Sequence, residues 1–165
     1  MKIIRLKPEH ASDYYQLRIE ALQNSPEAFA SSYEEEVRQS AAKYETRFGM
    51  DDSYTFGAFQ DGCLVGSVTL LKEQLKKLSH RVNIVAMYVK PEYRGFGIAA
   101  ALMEKAIQTA RQIGEVEQIH LTVVSTNTRA IKLYEKNGFT LYGTVNQSLK
   151  TGSNYVDELL MVRFL

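Results

Sequence analysis

The sequence predicts a mixed α/β fold, with one sheet of about seven strands flanked by about four helices. Three observations carry this. Hairpin signals join neighbouring strands early and late: Asp61-Gly62 is a strong two-residue turn, and Lys150-Thr151-Gly152-Ser153-Asn154 separates the last two strands. In the second half, strand and helix patterns alternate instead. Val82 to Val89 is a nearly continuous apolar run, as expected of a central strand buried on both faces.

The elements follow in order. Ile3 to Leu6 reads as a first strand. Glu9 to Gln23 reads as a helix, with Tyr14, Leu17, Arg18, Ala21 and Leu22 along one face, and Asn24-Ser25-Pro26 stops it. Residues 27–50 are helical in propensity but rich in Ser and Glu, which predicts a second, broken helical segment. Tyr54 to Phe59 and Cys63 to Leu71 are paired strands around the Asp61-Gly62 turn. Lys72 to Arg81 is polar and reads as a loop or an extended hairpin end. After the central strand, Ile98, Leu102, Met103, Ala106, Ile107 and Ala110 recur at helical spacing. Glu104, Lys105, Gln108 and Arg111 take the other side, and Gly114 ends the helix. Gln118 to Val124 is a strand with Ile119, Leu121 and Val123 on one face. Asn127 suits the N-cap of a helix that runs to Lys136 and closes at Asn137-Gly138. Phe139 to Ser148 and Tyr155 to Phe164 are the last strands. The order is βααβββαβαββ.

Size and composition narrow the function classes. At 165 residues the chain is most simply one domain, large enough for a core. A formal charge of +1 gives no broad basic field for nucleic acid or an anionic membrane. Cys63 is alone, so the sequence predicts neither a disulfide framework nor a metal centre. No apolar run approaches the roughly 20 residues of a membrane span, and the start is too short and too alternating for a signal peptide. A cytoplasmic protein is the default expectation.

Val89-Lys90-Pro91-Glu92-Tyr93-Arg94-Gly95-Phe96-Gly97-Ile98-Ala99 carries the strongest chemical signal. It reads as a strand end, a turn, a glycine bend and a helix start. Such a junction leaves several N–H groups unpaired and aimed at one point, which suits a phosphate. Arg94 adds a fixed positive charge. The spacing is not a P-loop, since no Gly-Lys-Ser/Thr follows, and it does not fit Gly-x-Gly-x-x-Gly. A second stretch runs from Asn127 through Ala130 and Tyr134 to Gly138-Phe139. Alone it is explained as a capped amphipathic helix with a glycine stop.

Together the two stretches resemble a known family. Arg94-Gly95-Phe96-Gly97-Ile98-Ala99 is similar to the Arg/Gln-x-x-Gly-x-Gly/Ala coenzyme A motif of the GNAT superfamily of N-acetyltransferases. Asn127 through Phe139 resembles that family's following motif, Asn-x-x-Ala-x-x-x-Tyr-x-x-x-Gly-Phe. The resemblance covers essentially the whole chain, with residues 1–50 the least specific part. It implies a GNAT-like acyl-CoA N-acyltransferase fold and direct transfer from acetyl-CoA to a small-molecule amine or a peptide. It admits a homodimer, since members often pair.

The resemblance also assigns residues. Acetyl-coenzyme A would enter a gap between strands 82–89 and 118–124. Its diphosphate would lie on the N–H groups of Arg94, Gly95, Phe96, Gly97, Ile98 and Ala99. Its pantetheine arm would pair with the backbone of Met87, Tyr88 and Val89, and with Asn127 directly or through water. An N–H near Met87 would hold the thioester oxygen. Tyr134 would be the general acid toward the departing thiolate, or else a core aromatic.

The general base and the acceptor are less legible. The family's usual glutamate position corresponds to Asn83, which is no base. Glu34, Glu35, Glu36, Asp157, Glu158, His120 and a water chain are alternatives, and the three glutamates read equally well as a solvated helix face. Asn83 is the best support for a different class, a non-catalytic acyl-CoA sensor or scaffold. Residues 24–50, with Pro26-Glu27-Ala28-Phe29, and the last hairpin would shape the acceptor pocket. Lys72, Lys76, Lys77, His80 and Arg81 are a charged loop that could approach phosphate.

Overall fold

The computed structural model describes residues 1–165. The strands are β1 (Lys2–Arg5), β2 (Ser53–Gln60), β3 (Cys63–Lys72), β4 (Arg81–Val89), β5 (Gln118–Val124), β6 (Thr140–Thr151) and β7 (Asn154–Phe164). The helices are α1 (Ala11–Asn24), α2 (Tyr33–Glu36), α3 (Ala42–Phe48), α4 (Ile98–Gln112) and α5 (Thr128–Lys136). The seven strands form one sheet in the order β1-β2-β3-β4-β5-β7-β6. Only β4 and β5 pair in parallel. No helix is long and apolar enough to cross a membrane.

Two apolar clusters fix the layers. On one face Ala11, Tyr14, Leu17 and Ala21 of α1 meet Tyr44 and Phe48 of α3 over Leu64 and Tyr88. On the other face α4 buries Ile98, Leu102, Met103, Ala106 and Ala110 against Val65, Val82, Ile84 and Ile119. These are the positions that the helical spacing singled out. Tyr134 and Phe139 extend this second cluster to α5.

Four expectations are corrected. The broken segment of residues 27–50 is two helices, α2 and α3, so the fold has five helices rather than four. Ser32 and Glu35 form a reciprocal cap at the start of α2, and that helix ends after one turn. Glu36 is not on a solvated face. It is 3% exposed and accepts from the Tyr44 hydroxyl at 2.6 Å, with Lys43 Nζ at 3.4 Å and Arg18 Nε at 4.0 Å. The short helix turns its last residue inward onto α1 and α3, where two cations compensate the carboxylate. The last hairpin is also tighter: Thr151 pairs with Asn154, and both strands run longer than expected.

The fourth correction matters most. The run Val82–Val89 is not buried on both faces. Val85, Ala86 and Met87 are only half-buried. Thr69 pairs with Val85 and Ser67 with Tyr88, so Ala86 and Met87 together oppose Val68. This is a β-bulge, with Ala86 at φ 53°. Bulges sharpen local twist and bend the strand that carries them. Parallel pairing of β4 with β5 stops at Ile84↔Leu121. Past that point β4 stays with β3 as far as Val89↔Gly66, and β5 stays with β7 as far as Val124↔Glu158. Each strand is anchored on its outer side, so a wedge opens between them.

Candidate active site

The wedge leads into a cleft of about 740 Å³. Ile84 to Val89 form one wall and Thr122 to Val124 the other. The β5-facing edge of residues 85–89 has no strand partner, so its backbone can receive an extended arm. This volume suits a cofactor-sized ligand.

At the mouth of the cleft lies the glycine bend. Gly95 and Gly97 have φ of 90° and 81°, and Gly97 is the N-cap of α4. The Arg94 amide donates back to Pro91, and the Ala101 amide to Gly97. The amides of residues 95–100 between them find no acceptor in the protein. These free donors stand at the positive end of a 15-residue helix. Arg94 is braced across the strand end. Its Nε donates to the Val89 carbonyl at 2.8 Å, and its guanidinium lies 5.6 Å from the Tyr88 ring centre. Tyr88 is held in turn by Glu20 and Asn24 of α1, each at 3.2 Å, and Glu20 pairs with Lys90 at 2.8 Å. One helix thereby fixes the end of β4 that carries the bend.

Nearly all of the sequence-assigned residues meet here. Met87, Tyr88, Val89, Arg94, Gly95, Gly97, Ile98, Ala99, Asn127 and Tyr134 line the cleft. Phe96 does not. Its side chain is 77% exposed, and only its amide belongs to the bend. Asn127 caps α5, its Oδ1 accepting from the Ala130 amide at 3.1 Å, which leaves its Nδ2 for a ligand.

Tyr134 is 7% exposed and its hydroxyl has no protein partner, although its ring packs edge-on against Phe139. Burial pushes its pKa up to about 12. Burial, aided by the Glu36 acceptor, also raises Tyr44, and burial raises Tyr88. The sign is the same for all three. In the unfolded chain a phenol ionises near pH ~10, whereas the native chain still holds its proton there. Stability is therefore complete below about pH 10 and falls as pH rises toward the folded values. Above neutral pH, thermal melts should be flat up to that point and then decline. Tyr44→Phe should make the decline shallower relative to its own neutral-pH value; an unchanged slope would show that Tyr44 is not a source of it.

The sequence-assigned bases fare differently. None of Glu34, Glu35, Glu36, Asp157, Glu158 and His120 lines the cleft. The Glu35 carboxylate accepts from the Ser32 amide at the start of its own helix, Asp157 accepts from the Gln147 amide, and Glu158 from the Ser148 hydroxyl. His120 is engaged by Tyr142 and Gln118, and burial lowers its pKa. Asn83 also lies outside the cleft, donating to Glu73 at 2.8 Å. The basic residues 72–81 sit before the wedge opens and do not reach the bend. The one carboxylate among the lining residues is Glu27, beside Phe29. The lining cations are Arg94, Arg129, Lys132 and Lys136. Sequence reasoning placed the stretch 26–29 at the pocket but did not weigh Glu27 as a base.

The model of the acetyltransferase (GNAT) family matches residues 14–139. L-amino acid N-acetyltransferase AaaT of Escherichia coli is 34% identical over 103 residues, which are 62% of this chain and 63% of that protein. The match thus spans slightly less than two thirds of that curated relative. Among solved structures, a GNAT-family acetyltransferase from Streptococcus pneumoniae superposes with a TM-score of 0.89 at 22% identity, over 99% of this chain and 98% of that one. The yncA protein of Salmonella typhimurium, solved with acetyl-CoA, superposes with a TM-score of 0.86 at 17% identity, over 100% and 94%. At these identities the two structures establish the fold alone.

Proposed function

Since the chain belongs to the GNAT family of acetyltransferases, we propose that residues 1–165 act as one domain that transfers the acetyl group of acetyl-coenzyme A directly to a primary amine. The observation that carries this reading is the run of acceptorless amides at residues 95–100, set at the mouth of a wedge between two splayed strands. Such a run is a ready diphosphate cradle. The fit to coenzyme A goes beyond the bend. Arg94, Arg129, Lys132 and Lys136 supply positive charge around the mouth, and the unpaired edge of residues 85–89 suits an amide-bearing arm.

The bound co-substrate supplies an activated acyl carbon, and the chain's own groups do the rest. The bulge at Ala86 and Met87 turns backbone toward the wedge, where an N–H would stabilise negative charge growing on the thioester oxygen. The amine nitrogen forms its bond to the acyl carbon as the carbon–sulfur bond breaks. Tyr134 meets the departing sulfur. An alkylammonium (pKa about 10.4) must lose a proton before attack. Glu27, the one carboxylate that lines the cleft, would attract that cation and take the proton through water. A cationic amine, such as an amino acid or polyamine, is the acceptor class that this corner favours.

The sensor reading loses its main support, because Asn83 lies outside the cleft and its lack of a carboxylate removes nothing from the site. A thermal-shift measurement with coenzyme A, followed by a thiol-release screen over amines, tests the proposal. The expected result is stabilisation and release with at least one cationic amine. Glu27→Gln should then raise KM for that amine by about tenfold while leaving acetyl-coenzyme A affinity intact. Stabilisation without release on any amine would return the sensor to favour.

A further inference from the structure

A second cavity, of about 460 Å³, follows one face of α4 from Gly97 to Arg111. Arg163 of β7 and Asn137, the C-cap of α5, line it from the other side. Arg163 donates through Nη1 to the Asn137 carbonyl, so part of its guanidinium serves the end of α5. The remainder has no such explanation. Its Nε is buried without an acceptor. No carboxylate lies within ion-pair distance of Arg163 or Arg111. Burial and the Arg111 charge both act against protonation of Arg163. Glu104 on the same wall accepts from Gln108 at 3.1 Å.

Two like charges that line one cavity without a carboxylate partner repel one another. An anion between the two guanidiniums would relieve the like-charge repulsion, and arginine's planar fork matches phosphate oxygens. We propose that Arg111 and Arg163 form a second anion site, which takes the phosphate group of a free phosphorylated anion. The cradle does not account for it. Gly97 and Ala100 belong to both cavities, but fourteen residues (97 to 111) span about 20 Å of helix. The remaining phosphate of coenzyme A is one ribose away from its diphosphate, too near to reach Arg111. The site therefore stands independently of the acetyl-transfer reading.

Isothermal titration with inorganic phosphate at constant ionic strength tests this, run with and without saturating coenzyme A so that the cradle is filled in one arm. The expected result is saturable phosphate binding that persists with coenzyme A present. Arg111→Gln, at an exposed position, should weaken it by about tenfold or more. Three results would overturn the proposal: no saturable binding to the native chain, equal affinity in Arg111→Gln, or displacement of phosphate by coenzyme A. Failure of coenzyme A to bind at all would count against the transfer reading and leave this comparison intact.

Discussion

Gly97→Val should weaken acetyl-coenzyme A binding by about a hundredfold or more, which is about 2.7 kcal/mol, while the chain still folds. Gly97 sits at φ 81°, and a Cβ built there meets nothing within 4 Å. Internal packing therefore does not forbid the side chain. The protein bears only the backbone strain of a β-branched residue at positive φ, on the order of 1–3 kcal/mol. Gly97 lines the cleft within the run of acceptorless amides at residues 95–100. A valine would occupy the volume that a diphosphate needs. Gly62 offers the matched control, because it has φ 82° and likewise nothing within 4 Å of a Cβ, but it lies in the β2–β3 turn. Gly62→Val should lose comparable stability and keep its cofactor affinity. If Gly97→Val bound as tightly as the native chain, the cradle would have been misplaced.

The bend was legible because its signal is local. A strand end, two glycines and the start of an amphipathic helix lie within eleven residues of sequence (89 to 99), and each favours the geometry that the structure has. The same holds for Asn127, whose cap needs only the next three residues. The bulge at Ala86 left no such mark. No glycine or proline stands at 85–87, and the bulge exists only because β3 sets one register before it and another after it. The wedge follows from that non-local mismatch, so the apolar run alone read as a fully buried strand. Glu36 failed for a related reason. Its neighbours in sequence are exposed acids, while the residues that bury it, Tyr44 and Arg18, come from flanking helices. Glu27 could have been found by asking which acid lies in the segment that crosses the acceptor side. Arg111 and Arg163 are separated by 52 positions (163 − 111), and no sequence pattern joins them.

Tyr134→Phe should leave acetyl-coenzyme A affinity nearly unchanged and reduce turnover by about tenfold or more. The ring belongs to the core, with Phe139 against it, and phenylalanine preserves that packing. Only the hydroxyl is lost, and it has no protein partner to orphan. What the hydroxyl contributes depends on its acidity. With its pKa pushed up to about 12, the phenol is a weaker acid than a free thiol at about 8.5, so handing its proton fully to the thiolate is disfavoured. In the proposed mechanism Tyr134 would therefore act mainly by donating a hydrogen bond to sulfur as charge develops, in a dry setting where such a bond is strengthened. The pH profile carries the consequence. Between pH 6 and about 10 the phenol stays protonated, so any alkaline fall in rate there belongs to another group, and any acidic fall reports the amine or its base. Pre-steady-state thiol release should lose amplitude and rate together in Tyr134→Phe across that window. A rate equal to the native one, with chemistry shown to be limiting, would remove Tyr134 from the mechanism and leave the leaving group to water.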